Sequence, residues 1–237
     1  MKQLLTDIVN RDEGEGTLGR HSIMLASLVT LLVALPVAQM IFEGTIRFTL
    51  LLTVVLISSV LVNSQQRWVF VLALLVGVAA LLGIAYSEVV GSESIRIGSQ
   101  FLSLGLLGMT TLVMFNSLIR ADQVSLDTVV GGICVYLLIG LSFAVSFILL
   151  MDLSPGSFVQ GGQAIVRVVG GSSDHATTLL FFSFVTITTL GYGDVTPRGE
   201  LAQMLAAAEA VIGQLYLTIF VARLIASYVA RDRIETN

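Results

Sequence analysis

Long apolar runs separated by short polar breaks leave this chain few ways to fold. They fall at about 21–41, 46–62, 68–86, 98–119, 126–151 and 197–229. A bilayer core takes about 20 residues of apolar helix. Only helices and closed barrels satisfy all their backbone groups in lipid. Hydrophobic residues make up 55% of the 237 positions, charged residues 12%, and the mean hydropathy is +0.93. A soluble domain carries about twice that share of charge. The expected fold class is therefore all-α integral membrane, with six transmembrane helices. The net charge of −4 says little about partners, because the charges sit in the breaks.

A seventh apolar segment, 175–188, is too short to span. It suits a half-helix buried within protein, a re-entrant element. It leads into Thr186-Ile187-Thr188-Thr189-Leu190-Gly191-Tyr192-Gly193-Asp194. Gly191 and Gly193 tolerate positive φ, so this strand can turn successive carbonyls the same way. Carbonyls of Thr189, Leu190, Gly191 and Tyr192, with the Thr189 hydroxyl at the inner end, could then replace the water shell of a dehydrated cation. The run resembles the potassium-channel filter signature T-x-T-T-V-G-Y-G-D, with Leu190 where that family more often has Val. Filters of that family select their ion with rings of backbone carbonyls.

The resemblance covers about 126–229 strongly, and the first 120 residues only in helix count. It implies potassium-selective, passive conduction by a homotetramer, since the chain holds a single filter motif. Ions would bind at Thr189, Leu190, Gly191, Tyr192 and Gly193. Thr186, Thr188, Asp194, Phe182, Val185 and Glu209 would support the filter. Phe181 and Phe182 stand where many relatives have Trp, and Val185 where some have Glu. Those departures imply a filter held more by packing than by polar bonds. Potassium is the expected bound ion, with no organic cofactor. Membrane lipids are expected partners, nucleic acid is not, and no enzymatic motif is present. Rival readings are a weakly selective cation channel and a non-conducting modulatory subunit.

The organisation read from the chain is a cytoplasmic segment at 1–20, a four-helix module at 21–120 and a pore module at 121–237. The excess of Lys and Arg in alternate loops places both termini on the cytoplasmic side of the cell (inner) membrane. The N-terminus does not read as a cleaved signal peptide, and the short tail leaves no room for an appended ligand-binding domain. The fourth helix, 98–119, holds no Lys or Arg. Voltage sensing needs several charges crossing the field, so steep voltage gating is not expected. The region 152–173 reads as a Gly-rich outer loop, and 87–96 as a polar loop.

On the sixth helix, Gly213 stands twenty positions after Gly193. It serves equally as a hinge or as a close-packing point. Gln214, Leu217 and Val221 would face a cavity. Ala222, Ala226 and Val229 lie lower, at an expected apolar gate. Glu209, an acid inside an apolar helix, is expected to bond to the half-helix. His175 reads as a solvated helix-start residue, and Arg223 as a residue snorkelling to the inner surface. Cys134 reads as a small core residue that cannot form an intrachain disulfide.

Overall fold

A computed structural model describes residues 24–30, 33, 67–120, 126–166, 175–223, 225, 226 and 229. The expected helix at 46–62, and most of that at 21–41, lie outside the described residues. At 24–30 the chain is helical, with Met24 and Leu28 buried in the core. The remaining elements are α1 (Arg67–Val90), α2 (Glu93–Ile119), α3 (Leu126–Leu153), β1 (Phe158–Gln160), β2 (Gln163–Ala164), α4 (His175–Ile187), β3 (Val195–Pro197) and α5 (Glu200–Leu215). A π-helix, Tyr216–Val221, continues α5. Among the described residues, three helical stretches are long and apolar enough to cross a membrane: Glu93–Ile119, Asp127–Leu153 and Glu200–Val221.

Each helix packs on the next, α1 on α2, α2 on α3, α3 on α4 and α4 on α5. Wholly buried Leu107, Leu138, Leu141, Phe147, Leu179 and Ile187 occupy the seams. α4 is 13 residues long, too short to span, and sits between α3 and α5.

The expected polar loop at 87–96 is not one. α1 runs to Val90, and Gly91, at φ 71°, closes it with a backbone N–H to Ser87 O at 2.8 Å. α2 starts at Glu93, whose carboxylate suits a helix N-terminus. The helix therefore takes in Arg96, at the end of the expected loop. Arg96 is buried because it has a partner. Its Nη1 donates to Asp152 Oδ1 at 3.0 Å, and Gln100 Nε2 donates to Asp152 Oδ2 at 2.7 Å. These bonds tie the first turns of α2 to the last turn of α3.

The all-α expectation also needs correction, because residues 158–197 contribute a small sheet in the order β2-β1-β3. Gly161 and Gly162, at φ 57° and 83°, form a two-residue hairpin turn, with Gln160 paired to Gln163. Two successive positive φ values are what a tight hairpin of matching twist requires. β3 pairs with β1, Val159 opposite Thr196, so α5 begins at Glu200 rather than 197. Phe158 of β1, Phe147 of α3 and Phe182 of α4 meet edge to face, with centroids 5.1 to 5.5 Å apart. This cluster locks the sheet to the helix that precedes the motif.

Candidate functional site

The motif begins as α4 ends. Thr186 Oγ1 and Thr188 Oγ1 donate back to Phe182 O and Phe184 O at 2.8 and 2.6 Å. Both hydroxyls therefore finish the helix rather than face the strand beyond it. The backbone then turns sharply. Thr189, Gly191 and Gly193 have φ of 58°, 62° and 78°, while Leu190 and Tyr192 do not enter the positive region. The two glycines were expected there; Thr189 was not. A β-branched residue at positive φ is an outlier, of a kind that costs about 1–3 kcal/mol and persists only where its surroundings enforce it.

Those surroundings are specific. The N–H of Thr189 donates to Thr186 O at 2.9 Å, and that of Leu190 to Val185 O at 2.9 Å. Gly191 N–H reaches the same Val185 oxygen at 3.4 Å. The motif's amides thus turn back onto α4. Gln214 Nε2 lies 3.2 Å from Thr189 Oγ1, so α5 touches the motif directly at Thr189. Residues 188–194 are all exposed in the single chain, Tyr192 at 66%.

Of the expected support residues, Phe182 is buried in the aromatic cluster. Its neighbour Phe181 meets Tyr192, stacked with centroids 6.1 Å apart and planes 7° apart. Val185 is buried and contributes its carbonyl oxygen. Asp194 is exposed. Glu209 is wholly buried against Ser183 of α4, Oε1 to Oγ 2.5 Å.

Gly213 is a close-packing point. A Cβ there would lie 2.6 Å from both Cγ1 and O of Ile187, the last residue of α4. The same Ile187 oxygen accepts a bond from Tyr136 of α3 at 3.1 Å. The irregularity in this helix comes lower, in the π-helix Tyr216–Val221; such segments recur at functional sites. Tyr216 is buried, stacks near Tyr136 and donates to Gly132 O at 2.7 Å. Leu217, Ala222, Ala226 and Val229 are exposed and Val221 is half-buried. Sequence reasoning did not find Tyr136, Ser183 or the Thr189–Gln214 contact. The signal available was polar side chains inside apolar helices, each needing a buried partner.

Comparison with known proteins bears on this part of the chain. Residues 156–230 match the family model described as "Ion channel". A two pore potassium channel a from Oryza sativa subsp. japonica is 30% identical over 67 residues, 28% of this chain. The matched stretch spans 19% of that relative's length. No solved structure matches. This stretch of the chain is therefore similar to ion channels. That match, together with the apolar helices, supports a multi-pass membrane protein.

Proposed function

We propose that this chain forms a potassium-selective channel, four copies surrounding one axis so that residues 189–192 line a filter. The observation that carries the reading is the alternation of φ sign along Thr189, Leu190, Gly191, Tyr192 and Gly193. In an ordinary strand successive carbonyls point to opposite sides. Alternating right- and left-handed residues instead turn them to one side, which carbonyl coordination of a dehydrated ion needs. The amides of Leu190 and Gly191, bonded to Val185 O, leave the other side for the oxygens. One chain gives one wall, and that wall is exposed. Four α4 C-termini, each carrying partial negative charge, would face the cavity below and favour a cation there.

The reading includes passive conduction without steep voltage dependence, supported by α2, whose one Arg is paired with Asp152 at the helix start. The test is potassium and sodium flux into liposomes holding the purified chain. The reading expects potassium uptake with sodium largely excluded, little altered by voltage. Comparable sodium flux would favour a weakly selective cation channel. Absence of flux would favour a modulatory subunit.

A further inference from the structure

Behind the motif, three helices meet at one serine. Ser183 Oγ lies 2.6 Å from Gly140 O of α3 and 2.5 Å from Glu209 Oε1 of α5. Ser183 and Glu209 are both 0% exposed. Each separation is that of a full O–H···O hydrogen bond, yet a serine hydroxyl has one proton to give. A proton divided between two acceptors would not hold both this close. If Glu209 were a carboxylate, Ser183 would donate to it, and the serine lone pairs would face Gly140 O at 2.6 Å with nothing between.

Among the described residues no positive charge offsets a carboxylate here. α3, α4 and α5 contain no Lys or Arg. His175 begins α4, about 12 Å from Ser183 along the axis at 1.5 Å per residue. The other ionisable groups on these helices, Asp127, Cys134, Tyr136, Asp152, Glu200 and Tyr216, supply none. Arg96 of α2 is engaged by Glu93 and Asp152. Among the described residues Glu209 Oε2 has no hydrogen-bond partner at all, and an uncompensated buried charge is expensive.

We infer that Glu209 carries a proton and donates it to Ser183, whose own proton goes to Gly140 O. The result is a neutral relay across α5, α4 and α3, two residues before Val185, whose carbonyl holds the motif's amides. Glu209 is then a positioning residue. The proton assignment is independent of the proposed conduction; only its effect on flux rests on that reading.

Infrared spectroscopy of the full chain in lipid bilayers tests the assignment, comparing the wild type with Glu209→Gln and Ser183→Ala. At neutral pH the wild type should show a carboxylic-acid C=O stretch that Glu209→Gln abolishes. In Ser183→Ala that stretch should move to higher wavenumber as its hydrogen bond is lost. Loss of carboxylate bands in Glu209→Gln, with no acid band, would overturn the proposal. In liposomes, the glutamine amide can still donate to Ser183, so its flux should stay within about threefold of wild type, while Glu209→Ala loses about tenfold or more. Equal losses in the two variants of a conducting protein would overturn the positioning role. A wild type with the acid band but no flux would sink the pore reading and leave the relay standing.

Discussion

Thr189 is held at φ 58° by its bond to Thr186 O and by the amide of Gln214. Replacing Gln214 with Leu keeps an α5 side chain of similar size but removes the donor. The strained threonine then loses a hydrogen bond worth about 1 kcal/mol. The expected result is a several-fold fall in the potassium-to-sodium permeability ratio, read from reversal potentials, with the assembly intact. An unchanged ratio would mean that the Gln214 contact does not set the motif at Thr189. Gly213 separates hinge from packing. Gly213→Ala forces a methyl into Ile187, and overpacking of this kind costs about 1–3 kcal/mol. It should lower the thermal midpoint in detergent. A residue serving only as a hinge would show a stability gain or no change, because alanine favours helix over glycine by about 1 kcal/mol.

At the level of elements, two clamps hold the motif's surroundings. The Phe147–Phe158–Phe182 cluster joins α3, β1 and α4, so Phe182→Ala should cost about 3–5 kcal/mol of unfolding free energy, measured by chemical denaturation. Arg96 and Asp152 form the second clamp, with side chains 7% and 1% exposed. Removing one partner of a buried pair costs about 3–5 kcal/mol, and replacing both with apolar residues costs far less. Arg96→Met or Asp152→Leu alone should therefore destabilise strongly, and the double variant should recover most of the loss. Additive losses would contradict a direct pairing. These elements differed in legibility for physical reasons. α3 and α4 are uninterrupted apolar runs, and the motif carries its own glycines, so their positions could be read directly. Arg96 looked like loop because its partner lies 56 residues away. The hairpin looked like loop because Gly161-Gly162 sits between very short strands, whose third member, β3, comes after the motif. Thr189 gives no local sign of positive φ; contacts from α4 and α5 impose it.

For the whole molecule, one chain supplies a helical scaffold and a single exposed wall. Its exposed α5 side chains, Leu201, Met204, Val211 and Leu215 among them, accord with burial against lipid or neighbouring copies. The positive φ of Gly191 and Gly193 was legible because the glycines themselves mark it in consecutive residues. The relay and clamps were not, because each joins side chains from helices far apart in sequence. The most direct test of the carbonyl cage is a crystal structure of the purified assembly soaked in rubidium or thallium, read by anomalous scattering. The account predicts four copies, with anomalous peaks on their common axis between the oxygens of residues 189–192. A monomer, or an assembly whose axis carries no such peaks while those oxygens face elsewhere, would contradict it.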